Sequence, residues 1–155
     1  MKWDAVSEMN CSVARTLSLV GDRWTMLILR SNFMGVRRFD DFHALLGMTR
    51  HVLTDRLNRL VEAEVLKKVP YQEKPARFEY RLTDKGKDLY PVVLSLMAWG
   101  DKWMDKGLGV PLHLQHSMCG HTMTPLMACS ECREPLHPRE VAMLAGPGLT
   151  AIAAK

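Results

Sequence analysis

Apolar positions recur at helical spacing through most of the first hundred residues and alternate in one short stretch between them. Ser12 offers a capping hydroxyl to a helix carrying Val13, Leu17, Leu19 and Val20, and Gly21 stops it. Asp22 can cap a second helix from Arg23 to about Phe33. Around Trp24, Leu27 and Ile28 that helix is apolar almost all round, which predicts a place in the middle of a core. After the break at Gly35-Val36-Arg37-Arg38, the spacing of Phe39, Phe42, Leu45 and Leu46 predicts a short helix closed by Gly47. Thr49 then caps a helix from Arg50 to Glu64. Leu53, Leu57, Leu60 and Val61 share one face of it, and Arg50, His51, Thr54, Asp55 and Asn58 lie largely off that face. Two short helices joined by such a Gly-containing turn form a helix-turn-helix.

The period then changes. Val65 to Tyr71 and Arg77 to Leu82 predict two strands, the second alternating charged and apolar residues, with the polar, Pro-containing segment Gln72 to Ala76 as their turn. This is a β-hairpin with a basic tip. Thr83 caps a further helix running to about Met104, with Leu89, Val92, Val93, Leu96 and Trp99 as its apolar stripe and Pro91 as a kink or break. From Gly107 the chain turns Gly-, Pro-, Cys- and His-rich and ends in an uncapped apolar stretch, Gly148 to Lys155. The expected fold class is mainly α with a small β-hairpin wing (α+β), a winged helix-turn-helix. The expected division is 1–106 for the helix-turn-helix, hairpin and flanking helices, 107–145 for a small zinc-ribbon-like appendix and 146–155 for a flexible tail.

Composition narrows this only modestly. A chain of 155 residues with 47% apolar content can build a core. Its net charge of +4 favours an anionic partner, although 21 basic and 17 acidic residues are mixed along most of the chain. No apolar run is long enough for a membrane span, and the start at Met1-Lys2-Trp3-Asp4 lacks a signal-peptide pattern, so a cytoplasmic protein is expected. In a reducing compartment the four cysteines are read as thiols or metal ligands.

Residues 11 to 105 resemble the HxlR-type regulators, relatives of the MarR group. The resemblance runs through Cys11-Ser12-Val13-Ala14-Arg15, Gly21-Asp22-Arg23-Trp24, Arg38-Phe39-Asp40-Asp41-Phe42, Leu53-Thr54-Asp55-Arg56-Leu57 and Tyr80-Arg81-Leu82-Thr83-Asp84-Lys85-Gly86, in that order. It implies a winged helix-turn-helix dimer that represses or activates nearby genes and has no catalytic activity.

The helix after Thr49 is the one to enter a major groove, and its N-terminal residues reach base edges first. Thr49, Arg50, His51 and Thr54 are therefore the leading candidates for DNA readout, with Asn58 one turn further along. Arg50 can donate two hydrogen bonds to a guanine. Lys74 and Arg77 at the hairpin are expected to meet phosphate or the adjacent minor groove, with Lys67 and Lys68 less directly placed. Arg56 is either a phosphate contact or a structural ion-pair partner of Asp40 or Asp41. Double-stranded DNA is the expected partner. A homodimer is expected as well, since two modules related by a two-fold axis read paired half-sites. The helix with Leu89, Val93, Leu96, Trp99 and Met104, together with the N-terminal segment, either forms that interface or closes the monomer's own core.

The appendix carries two pairs with metal-ligand spacing, His116-x-x-Cys119 and Cys129-x-x-Cys132, separated by nine residues. His116, Cys119, Cys129 and Cys132 would suit a closed tetrahedral zinc site, with His113 and His121 competing for the histidine place. The alternative is a metal-free loop. Cys11 precedes the first predicted helix and looks like the single N-terminal cysteine of redox-sensing HxlR regulators; the alternative is a small buried hydrophobe. An enzyme is disfavoured, since no His-x-Glu accompanies the Cys-x-x-Cys and no His-Glu-x-x-His or Gly-x-Ser-x-Gly is present. The remaining rival is a protein-interaction module with a zinc-stabilised tail and no specific DNA binding. A small-molecule effector is plausible by analogy, although no constellation of polar residues identifies its pocket.

Overall fold

The computed structural model describes residues 4–149, with the side chains of Asp4 and Ala5 left out of the description. The chain divides into two compact units, 1–93 and 94–155, of which the expected tail 146–155 falls mostly outside the described residues. The first unit begins with a short helix the sequence pattern did not predict, α1 (Asp4–Ser7), followed by α2 (Ser12–Val20), α3 (Arg23–Phe33), α4 (Phe39–Leu46) and α5 (Arg50–Glu62). Then come strands β1 (Leu66–Gln72) and β2 (Arg77–Leu82), the short helix α6 (Asp84–Lys87) and the start of α7 (Tyr90–Trp103). The second unit takes the rest of α7 and two short strands, β3 (Leu114–Gln115) and β4 (Thr122–Met123).

Caps set most of these boundaries. The Asp22 carboxylate accepts from the N–H groups of Trp24 and Thr25 and starts α3 where expected. Ser12 is not a cap: the Cys11 carbonyl already accepts from Arg15 N–H, so Cys11 is the N-cap and Ser12 the first helical residue. Gly47 sits at φ 62° and ends α4, as expected. The helix α5 stops two residues earlier than expected. Glu64 turns left-handed at φ 57°, and Val65 N–H reaches back to the Leu60 carbonyl at 2.9 Å, a Schellman closure made without glycine. The helix predicted from Thr83 to Met104 is two helices, because Pro91 has no N–H to continue the ladder from α6.

The core of the first unit gathers one face of each helix. Ile28 and Leu29 from α3, Phe42 from α4, Leu53, Leu57 and Leu60 from α5, and Val65 and Leu66 at the base of the hairpin are all buried. Met48, in the turn between α4 and α5, is buried with them and fixes the helix-turn-helix corner. Near the end of α3, the buried Asn32 donates to the Tyr80 carbonyl at 2.8 Å and ties the central helix to β2.

Strands β1 and β2 pair antiparallel from Leu66↔Leu82 to Pro70↔Phe78, with a bulge before Gln72. The segment before α4 joins this sheet: Arg38 bridges to Glu79, and Tyr80 N–H donates to the Arg37 carbonyl at 2.7 Å. The expected alternation in β2 holds only near its base. Tyr80 and Leu82 are half-buried but Phe78 is exposed, because the outer part of the hairpin projects beyond the core. Glu79, on the polar face, is half-buried against Arg81 and Arg38 instead.

The turn into α6 docks on the end of α5. Thr83 Oγ1 donates to the Glu64 carbonyl and accepts from Gly86 N–H, and Lys85 Nζ donates to the Ala63 carbonyl. Gly86 is buried there, and a Cβ on it would lie 2.2 Å from the Val65 carbonyl oxygen. Gly86→Ala is therefore expected to lower stability by about 1–3 kcal/mol through forced backbone separation. Denaturant melts followed by circular dichroism would read this as a lower midpoint at unchanged slope.

Candidate nucleic-acid interface

The outward face of α5 carries Arg50, His51, Thr54 and Asp55 exposed and Asn58 half-buried, while Leu53, Leu57 and Leu60 anchor the inward face. Most of the residues expected to read DNA thus share one face, for the simple reason that the heptad of leucines turns them outward. Their side chains differ in how free they are. Thr49 spends its hydroxyl on the helix, accepting from Val52 N–H at 3.4 Å. Thr54 Oγ1 donates to the Arg50 carbonyl at 2.8 Å, which leaves its lone pairs and methyl facing out. Asn58 Oδ1 accepts from Lys68 Nζ at 3.2 Å, so this end of the face is tied to β1.

Arg50 pairs with Asp40 of α4 at 2.9 Å, and its guanidinium lies 5.4 Å from the centre of the Phe39 ring. Both charged side chains are well exposed, and such a pair is weak and screened by salt. It holds the guanidinium over the helix-turn-helix corner without committing it.

Arg56 is placed differently from either sequence expectation for its partner. It pairs with Asp22, at 3.0 Å, and with the adjacent Asp55, whereas Asp40 is taken by Arg50. The reason is geometric: Arg56 lies on the side of α5 that crosses the N-terminus of α3, where Asp22 is already the cap. Burial pushes the Asp22 carboxyl up, but hydrogen bonds from the hydroxyl and N–H of Thr25 and the charge of Arg56 outweigh it. The net effect holds Asp22 below the ordinary aspartate range.

Lys74 and Arg77 sit exposed at the end of the hairpin, as expected, with the Lys74 carbonyl accepting from Gln72 Nε2 at 3.1 Å. A cation the sequence reading passed over, Arg38, packs its guanidinium 4.5 Å from the centre of the Tyr71 ring and pairs with Glu79 at 3.6 Å. Arg81 donates to the same Glu79 carboxylate, and this hydrogen bond, aided by the charges of Arg81 and Arg38, holds that carboxyl below its usual range. No local sequence signal joins Arg38 to the hairpin; their link is the long-range bridge to β2.

Cys11 is exposed at the N-terminus of α2, and its side chain makes no capping hydrogen bond. In the second unit His116 Nδ1 lies 3.4 Å from Cys119 Sγ, and Cys129 and Cys132 form a second pair. Among the described residues no three His, Cys, Asp or Glu side chains converge as a metal site. The second unit also holds an open groove of about 960 Å³ lined by Trp99, Trp103, His113, Met123 and Leu136, among others.

Comparison with known proteins agrees with this architecture. A family model described as HxlR-like helix-turn-helix matches residues 19–107. An uncharacterized HTH-type transcriptional regulator of Mycobacterium tuberculosis is 45% identical over 140 residues, covering 90% of this chain and 89% of that one. The crystal structure of PA1607, described as a candidate transcription factor, superposes with a TM-score of 0.81 at 31% identity, covering 92% of this chain and 99% of that one. The redox regulator HypR in its reduced form superposes with a TM-score of 0.57 at 27% identity, covering 63% of this chain and 96% of that one.

The depressed Asp22 carboxyl sets an expected pH dependence. Its folded pKa lies below the unfolded one, so its contribution is full above the unfolded value and is lost as pH falls through the folded value. Asp22→Ala should cost about 0.5–2 kcal/mol at neutral pH from the cap alone. The gap to wild type should close in acid. Thermal melts of both proteins from neutral to strongly acidic pH would test this, and curves that stay parallel throughout would contradict it.

Proposed function

The chain belongs to the HxlR-like helix-turn-helix family, and we propose that it acts as a dimeric, sequence-specific repressor that reads an operator with α5 and grips the DNA backbone with the β1–β2 wing. The family is one of transcriptional regulators without catalytic activity, and the chain is not an enzyme. The observation that carries the reading is the exposed polar face of α5, with Arg50, His51 and Thr54 at its N-terminal half and the cations Lys74 and Arg77 on the neighbouring hairpin. Arg50 exchanges its exposed partner Asp40 for guanine, and the wing cations neutralise phosphate.

Apolar surface that the monomer leaves uncovered supports the dimer. On α2, Val13 is 66% exposed and Leu17 is exposed beside it. On α7 only Val93 is buried, while Leu96 is 55%, Trp99 59% and Trp103 65% exposed. Apolar side chains of this size in a row are the mark of a surface that meets a second copy. The stripe expected on α7 therefore favours the interface reading over closure of the monomer's own core. The signal enters through Cys11, whose exposed position at the start of α2 supports a redox response of the kind named for HypR, or through a small molecule held in the groove around Trp99 and Trp103. The protein works in the cytoplasm, and among the described residues no helix is long and apolar enough to cross a membrane.

Fluorescence anisotropy on DNA from upstream of its own gene and on scrambled DNA, at two salt concentrations, tests the reading. Wild type should prefer the upstream DNA and weaken with salt. Arg50→Ala should lose about 1–3 kcal/mol of that preference, whereas Arg77→Ala should weaken both DNAs alike and flatten the salt dependence. Equal, mutation-insensitive binding to both DNAs would favour the protein-interaction module instead. In sedimentation equilibrium, Trp99→Glu should shift a dimer toward monomer.

A further inference from the structure

The second unit beyond α7 has almost no apolar core. Between residues 104 and 149 no side chain is buried, and only Leu114, Met123, Pro125 and Cys129 are even partly so. A segment of this size without a core holds a defined backbone only if something else fixes it, a disulfide or a bound metal being the usual sources.

Its two hairpins are copies of one backbone pattern. In the first, His116 N–H donates to the carbonyl of His121, five residues on, at 3.0 Å, and Gly120 N–H donates back to the His116 carbonyl at 2.7 Å. In the second, Cys129 N–H donates to the Glu134 carbonyl at 2.9 Å, and Arg133 N–H donates back to the Cys129 carbonyl at 3.0 Å. The flanking pairs fall in the same register, Gln115 with Thr122 and Ala128 with Pro135. Even the left-handed residue recurs at the same place, Gly120 at φ 71° and Arg133 at φ 66°. An arginine adopts that conformation only at a cost, so the second hairpin keeps its turn against its own sequence preference.

In both hairpins the first and fourth positions hold metal-ligating side chains turned toward each other. His116 Nδ1 and Cys119 Sγ are 3.4 Å apart. Tetrahedral zinc, with its ordinary bond lengths to nitrogen and sulfur, separates two such ligands by about 3.6 Å. In the other turn the backbone N–H groups of Glu131 and Cys132 point at Cys129 Sγ, with the Cys132 thiol beside it. That arrangement gathers hydrogen-bond donors around the Cys129 sulfur.

We propose that the two hairpins are the halves of one structural zinc site with ligands His116, Cys119, Cys129 and Cys132. The repeat also chooses among the histidines. His116 occupies the place of Cys129, His121 the place of the non-ligating Glu134, and His113 precedes the turn. Each turn presents its own pair of ligands, and one site requires the two turns to meet across the nine residues between Cys119 and Cys129. Binding releases the three thiol protons to solvent and needs no oxidant or reductant.

The test uses the full chain, stripped of metal under reducing conditions and titrated with Co²⁺, then with Zn²⁺. One Co²⁺ per chain should appear with the intense visible bands of tetrahedral coordination and thiolate charge transfer in the near ultraviolet, and Zn²⁺ should bleach both. Cys129→Ser and His116→Ala should abolish the tetrahedral spectrum, while His113→Ala and His121→Ala should leave it intact. Helical circular dichroism identifies any variant that has failed to fold, and DNA binding is not needed for any readout. Absence of a tetrahedral spectrum in folded wild type would overturn the site, as would its persistence in folded Cys129→Ser. Loss in His121→Ala with retention in His116→Ala would overturn the histidine assignment.

Discussion

A single carboxylate couples the central helix of the first unit to α5, the helix proposed to read DNA. Asp22 caps α3 through the N–H groups of Trp24 and Thr25 and at the same time receives the guanidinium of Arg56 from α5. The buried leucines set how α5 lies on the core, and that shared oxygen adds a polar tie between α5 and the start of α3. A helix end has unsatisfied N–H groups in any case, so the same charge serves the cap and the cross-helix pair. Partial burial makes each bond stronger than it would be on open surface.

The wing is positioned by a second set of polar links at its base. Asn32 holds the Tyr80 carbonyl, the Arg37 carbonyl accepts from Tyr80, and Glu79 collects Arg38 and Arg81. The outer hairpin, with Lys74 and Arg77, is held by fewer polar links, chiefly Gln72 to the Lys74 carbonyl and Arg38 on the Tyr71 ring, and stays exposed. This division fits the proposed work of the two regions. Base readout needs a preorganised helix, whereas phosphate contact tolerates a tip that adjusts to the backbone.

The second unit follows a different economy. Its hairpins carry well-formed turns over a surface with no buried side chain, and α7 presents Leu96, Trp99 and Trp103 to solvent. A metal holding four ligands would supply from one point what the segment lacks in apolar area. The exposed tryptophans call for a covering surface of another kind, which a second copy of the chain provides in the proposed dimer.

Much of the first unit was legible in the residue order, because the signals are local. Asp22, Gly47 and Thr49 mark helix ends by satisfying or releasing neighbouring backbone groups, and the spacing of Leu53, Leu57 and Leu60 turns Arg50, His51 and Thr54 outward within one helix. The spacing of the four proposed zinc ligands is visible in the sequence too, whereas the proposal of His116 over His113 and His121 rests on the match between two hairpins. What the residue order left undecided were partners far apart in the chain: Arg56 finding Asp22, Arg50 taking Asp40, and Arg38 joining the hairpin through Glu79. Charged side chains carry no periodicity that names a partner. Which opposite charge each one meets is settled only when hydrophobic packing fixes how the helices cross and which ends come within a few ångströms.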